Sequence, residues 1–397
     1  MGAKATVAAT ALPPTAGAAN PRKPRLAIQI ARRLEDQILE ESWPVGFQIG
    51  REAELATDMG VSRWTLREAV RILEASGFVA TRKGAHGGLF VASSAYDFVC
   101  KMASNYLEFV QVSEEEFSEV LRALNRLSIA EAIERISAED GRRMQAELAS
   151  IVDKSLAEQL EAAGPIREFL VRSSSNPALE LFIGALGKVI FDACIYSTLD
   201  DGEWLSSFRA VVAAIHDMGQ AVIARDPARG LQASDEFAAI FCRLFAASFL
   251  HQRIPITPAA TQRAYDFFPP ARPLKKVDGV ERAIREMIFD EGWPVGSSLG
   301  SEKELATRFG VGRWVLRDAL RSLEQLGVIE MGRGTRSGVR VVSPDPWAVA
   351  DACRRFLRRE MLIPEQAAVV RTLLKPVAQN CDPPLPISDL FEQILAE

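Results

Sequence analysis

The chain has 397 residues, 48% hydrophobic and 25% charged, with a net charge of −5; that is sequence enough for two or three globular domains of ordinary soluble composition. No run of about 18 apolar residues occurs, which argues against a membrane-spanning helix. The acidic balance excludes a uniformly basic surface but not nucleic-acid binding, because residues 22–93 and 273–343 each hold two more basic than acidic side chains while the span between them is strongly acidic.

Residues 1–21 are rich in Ala, Thr, Pro and Gly and lack the apolar core of a secretory signal, so a disordered leader is expected. Residues 22–93 read as a compact head. Leu26, Ile30, Leu34 and Ile38 recur at near-helical spacing, predicting a helix over about 25–41. A turn follows at Pro44-Val45-Gly46. A short helix from Glu52 to Met59 is closed by Gly60 in a left-handed C-cap, and a second runs from Arg63 to Ala75, with Ser62 as its N-cap and Gly77 past its end. Phe78–Thr81 and Leu89–Val91 are short strand candidates around Gly84-Ala85-His86-Gly87-Gly88. Helix, helix, turn, helix and a two-stranded wing make a winged helix-turn-helix.

Residues 98–252 carry long amphipathic helical runs with few strand signals, and breaks are expected at Gly164-Pro165 and Asn176-Pro177. Residues 253–272 read as a linker. Residues 273–343 then repeat the head. Trp43-Pro44-Val45-Gly46 returns as Trp293-Pro294-Val295-Gly296, Glu54-Leu55-Ala56-Thr57 as Glu304-Leu305-Ala306-Thr307, and Arg63-Trp64-x-Leu66-Arg67 as Arg313-Trp314-x-Leu316-Arg317. The offset is 250 throughout, without a gap, and about half of positions 43–93 are identical to their partners. Residues 344–397 form a helical extension, with Ile387 to Leu395 a short helix expected to dock elsewhere. The fold class expected is mainly α: two winged helix-turn-helix domains, each with a small β wing, flanking an all-α helical bundle.

In such a head the second helix enters the major groove and its N-terminal residues meet base edges. Here that tip carries Ser62, Arg63, Trp64, Thr65 and Arg67. Arg63 and Arg67, four apart, share a face, and an Arg fork pairs with guanine or clamps a phosphate. The second tip keeps Arg313, Trp314 and Arg317 but has Gly312 and Val315 for Ser62 and Thr65, so the two heads are expected to prefer related, non-identical half-sites. Glycine in Lys83-Gly84 and Arg333-Gly334 at the wing tips lets backbone approach the phosphates or the minor groove. An isolated Arg-x-x-x-Arg is ordinarily a solvated surface feature; its recurrence at two helix tips, between a glycine turn and a wing, favours DNA contact. For Trp64 and Trp314 two readings stand: stacking on a sugar or meeting a thymine methyl at the groove, or packing against the preceding helix.

These stretches, Gly50-Arg51-Glu52-Ala53-Glu54-Leu55-Ala56 through Gly60-Val61-Ser62-Arg63-Trp64-Thr65-Leu66-Arg67-Glu68-Ala69 with Leu73-Glu74 and Gly77, resemble the GntR family of bacterial regulators. The family's Pro-Ser-Glu-Arg entry is represented by Gly50-Arg51-Glu52 and Gly300-Ser301-Glu302, which places Arg51 among the DNA-contacting residues. Its helix-borne Arg falls on Ala53 in the first head and Lys303 in the second. The middle resembles the helical ligand-sensing (FCD-like) domain of the FadR-like branch, through Ser173-Ser174-Ser175-Asn176-Pro177 and Arg225-Asp226-Pro227. Val370–Ala378 resembles the first long helix of that same domain, so the second unit is expected to hold a head and only the start of a sensor.

The resemblance implies a sequence-specific regulator of transcription, a repressor or activator, that binds double-stranded DNA, is cytoplasmic and nucleoid-associated, and acts as a homodimer. Two heads in one chain also permit a covalent pseudo-dimer. The family's metal-binding positions fall on Ala163, Arg167, Phe208 and Phe237, which are not metal ligands, so no metal and no cofactor is expected. Arg167 in a helical pocket could pair with the carboxylate of a small organic-acid effector, or be structural. The five scattered cysteines, without CxxC spacing, read as buried reduced thiols, with a redox sensor the alternative. The alternative function is a degenerate regulator that pairs with other proteins without touching DNA. Enzyme motifs are absent, and no catalytic residues are assigned.

Overall fold

The computed structural model describes residues 26–41, 43–44, 46–75, 77–82, 84, 87–92, 95–195, 200–246, 276–332, 338–379 and 386–396. The expected leader and linker, together with Lys83, His86, Arg333 and Gly334, lie outside these residues.

The first head is built from α1 (Leu26–Glu40), β1 (Gln48–Gly50), α2 (Glu52–Asp58), α3 (Arg63–Ala75), β2 (Val79–Arg82) and β3 (Gly88–Val91). α1 turns Ile30, Leu34 and Ile38 inward against Leu66, Ala69, Val70 and Leu73 of α3, all buried. A fully buried aliphatic side chain contributes about 1.5–3 kcal/mol, so this stripe, rather than helix propensity, holds α3 in place. Gly60 and Gly77 close α2 and α3 at φ 64° and 68°, the left-handed region that penalises a Cβ.

The wing differs from expectation. Gln48 pairs with Phe90 and Gly50 with Leu89, so β1 joins an antiparallel sheet of order β1-β3-β2 in place of the two-stranded ribbon. Three residues are too few to show alternation, and the Trp43-to-Phe47 turn, not hydrophobic pattern, brings β1 alongside β3. The second head repeats this with α11 (Lys276–Asp290), β4 (Ser298–Gly300), α12 (Glu302–Arg308), α13 (Arg313–Gln325), β5 (Ile329–Met331) and β6 (Val339–Val341), in the order β4-β6-β5.

Between the heads lie α4 (Ala95–Phe109), α5 (Glu114–Arg135), α6 (Ala138–Ile151), α7 (Leu156–Ser173), α8 (Pro177–Ile195), α9 (Asp201–Ala224) and α10 (Pro227–Ala246). Ser113, Ser137, Ser155 and Asp200 cap α5, α6, α7 and α9, each worth about 1 kcal/mol. The predicted break at Asn176-Pro177 is present, with Ser175 at φ 52° and Asn176 Oδ1 accepting from the Ala178 N–H at 3.1 Å. The predicted break at Gly164-Pro165 is not: α7 runs through Pro165. The buried stripe Leu160, Ala163, Ile166 and Leu170 compensates for the N–H that proline lacks.

After the second head come α14 (Pro346–Arg359), α15 (Pro364–Gln379) and α16 (Pro386–Leu395). They do not form a separate lobe. α14 packs on α4, α15 on α5, and α16 sits against α14, α15 and α5. Among the described residues, no helix is long and apolar enough to cross a membrane.

Candidate nucleic-acid interface

Each recognition tip is set by the helix before it. In the second head Ser301 caps α12 with a reciprocal box: the Glu304 N–H donates to Ser301 Oγ at 3.3 Å, and the Ser301 N–H to Glu304 Oε2 at 2.7 Å. Arg51 holds the equivalent position in the first head. There the Arg51 N–H donates to Glu54 Oε2 at 3.2 Å, without a side-chain cap hydrogen bond to the helix. Ser62 caps α3 by accepting from the Thr65 N–H at 3.1 Å, and the two hydroxyls lie 2.8 Å apart. Gly312 starts α13 with no side-chain cap.

The arginines divide into two kinds. Arg63 and Arg313 are exposed, and among the described residues no ion pair holds either. Arg67 and Arg317 are exposed too but tethered: Arg67 Nε lies 2.8 Å from Glu52 Oε2, and Arg317 Nη2 lies 2.8 Å from Glu302 Oε2. The pairing was not legible at helical spacing, since 15 residues separate the partners; the signal that could have found it is that both Glu52 and Arg67 recur at the repeat offset. Trp64 is 66% exposed and Trp314 75%.

In the second head, Lys303, Arg313, Arg317 and the start of the wing at Met331 and Gly332 border one cleft of about 340 Å³. Ala53 is exposed where Lys303 stands in the other head. Gly84 is exposed, at φ 113°, between β2 and β3.

Arg167 lies apart from these surfaces, on α7. It donates from Nη2 to Asn125 Oδ1 at 3.2 Å, and its guanidinium sits 4.8 Å from the centroid of the Phe237 ring. Burial pushes its pKa down to about 10. Ala163, Phe208 and Phe237 are buried, and among the described residues no three His, Cys, Asp or Glu side chains gather in a metal-holding group. Cys100 and Cys353 are buried, and burial raises both thiols, Cys353 to about 12.

The family described as "Bacterial regulatory proteins, gntR family" matches residues 26–91 and residues 276–341, the two heads. An uncharacterized HTH-type transcriptional regulator of Mycobacterium tuberculosis is 37% identical over 117 residues, 28% of this chain and 45% of that protein. The HTH-type transcriptional repressor NanR of Escherichia coli is 36% identical over 78 residues, 19% of this chain and 30% of that protein. The chain thus spans less than half the length of these relatives. A solved Streptococcus agalactiae GntR structure aligns with 55% of this chain and 99% of its own, at 22% identity and a TM-score of 0.37.

Proposed function

From the premise that both heads of this chain belong to the gntR family of bacterial regulatory proteins, we propose that it is a sequence-specific DNA-binding regulator of transcription, reading two half-sites with α3 and α13. The observation that carries this is the pair of outward tips, where Arg63 and Trp64, and Arg313 and Trp314, stand exposed on helices whose inner faces are buried. Arg63 and Arg313 supply base or phosphate contacts, the tryptophans stack on the duplex, and Lys303 adds a phosphate contact in the second head. Ser62, Thr65, Arg67, Arg317 and Arg51 shape the surface that meets the backbone, and Gly84, Lys83, Arg333 and Gly334 make up the wing-tip contacts.

The test is selection of bound duplexes from a random library, followed by gel shift with the doubly substituted Arg63→Ala, Arg313→Ala protein. Loss of specific binding by a cooperatively folded double variant is expected. Undiminished operator binding would sink the assignment, and failure to select any duplex at low salt would favour a protein-pairing module instead.

The Arg167 guanidinium, held by an amide and a ring and ion-paired to no carboxylate among the described residues, favours a small organic acid as effector. A panel of mono- and dicarboxylates should raise the melting temperature of the native chain and not of Arg167→Met. Equal shifts in both place the acid elsewhere.

A further inference from the structure

Contacts between the two halves obey a rule that packing of unrelated elements would not produce. At the repeat offset of 250, Glu35 of α1 corresponds to Arg285 of α11, and Asn105 of α4 to Arg355 of α14. Arg355 Nε lies 3.1 Å from Glu35 Oε1, and Arg285 Nη1 donates to Asn105 Oδ1 at 3.0 Å. Each first helix is therefore bridged to the helix that follows the other head, through the same two positions. That reciprocity, residue i meeting j and j meeting i, is the signature of an isologous two-fold interface.

The same relation continues inward. Glu116 of α5 corresponds to Gln366 of α15. Glu116 Oε1 accepts from the Ile387 N–H at 2.7 Å and the Ser388 N–H at 3.3 Å, at the start of α16, while Gln366 Nε2 donates to the Ser175 carbonyl at 2.6 Å, just before α8. α16 itself opens Pro386-Ile387-Ser388-Asp389-Leu390-Phe391, and α8 opens Pro177-Ala178-Leu179-Glu180-Leu181-Phe182. Proline, acid, leucine and phenylalanine fall in the same places, and Phe182 and Phe391 stack on one another, centroids 3.8 Å apart and planes within 3°.

We infer that α14, α15 and α16 are the counterparts of α4, α5 and α8, and that the chain is a built-in two-fold pseudo-dimer whose association face for a second copy is already filled by its own C-terminal helices. Only residues 380–385 separate α15 from α16, where the first half has α6 and α7. The second half therefore has no counterpart of α7 or of Arg167, and one chain carries two heads for one Arg167 site.

The DNA arm of the test rests on the proposed function; the mass arm does not. Light scattering across micromolar concentrations should return the mass of one chain, and a complex with the selected duplex should hold one chain per pair of half-sites. A two-chain mass, or two chains per duplex, overturns the inference, whereas failure to bind any duplex overturns the DNA reading and leaves the mass to decide this one. Reversing the bridge supplies a second arm. Glu35→Arg and Arg355→Glu should each lower the melting temperature, and the double variant in one chain should regain it. An equimolar mixture of the two single variants should not. Recovery in the mixture means the bridge forms between chains and overturns the inference, as does equal stability of all the variants.

Discussion

Arg63 and Arg67 illustrate how two guanidinium groups on one face of one helix acquire different duties. Arg67 is held by Glu52, and the pair recurs as Arg317 and Glu302, so each head places a carboxylate at the rim of its own basic tip. With the arginines exposed and their carboxylate partners partly so, the bridge contributes about 0–1 kcal/mol to stability; its larger effect is on what approaches. Substituting Glu52→Gln and Glu302→Gln removes two charges that repel phosphate and frees two forks. Binding to random-sequence DNA should tighten, and the operator-to-random ratio should narrow. Competition gel shifts check this, and weaker binding to both DNA classes would refute it. The tryptophans of the two Trp-Pro-Val-Gly turns make the complementary point. Trp43 stacks on Phe47, centroids 4.8 Å apart, whereas Trp293 is buried, donates from Nε1 to the Val342 carbonyl at 2.9 Å and meets Phe109 edge-on. The same tryptophan takes two environments, with Phe47 replaced by Ser297 in the second head.

At the scale of elements, the heads were legible and the join between helices was not. Gly60, Gly77, Gly310 and Gly327 all sit at positive φ, 61–73°, as expected of glycines that end helices. Gly60→Ala should cost about 1–2 kcal/mol, read as a lower denaturation midpoint, with nothing near the added Cβ to complicate it. α4 and α8 offer a harsher case. They approach so closely at Gly184 that a Cβ there would overlap the Tyr96 hydroxyl, which donates to the Glu180 carbonyl at 3.0 Å. Gly184→Ala should therefore destabilise by about 1–3 kcal/mol through overpacking, and a midpoint unchanged from the native chain would show that the two helices can part. Sequence patterning placed a break at Pro165 because proline costs a helix about 3 kcal/mol, but the stripe of α7 buried against its neighbours outweighs that local preference.

Across the whole molecule, two carboxylates mark the seam between the halves. Burial raises Glu35, against the lowering effect of Arg355, to about 7 from an ordinary 4.5, and burial raises Glu116, against the Ile387 and Ser388 N–H groups, to about 7. Between about pH 4.5 and 7 the folded chain keeps protons that the unfolded chain has released. The stability these groups contribute is full below pH 4.5 and is lost as pH rises through 7. The Glu35→Gln, Glu116→Gln protein should lose less melting temperature than the native chain between pH 5 and 8; parallel curves would show that the seam does not titrate. DNA affinity should fall with salt on a log–log slope near −5 if about 6 phosphates are neutralised. The 250-residue repeat, the fold of each head and the helical class of the middle were determined by the sequence alone, because they rest on local periodicity, caps and glycines that neighbours along the chain impose on one another. The third strand of each wing, the Glu52–Arg67 tether and the docking of α14–α16 onto the first half were decided only in three dimensions. Their partners lie from 15 to more than 270 residues apart, and burial and charge select them only after the helices have packed.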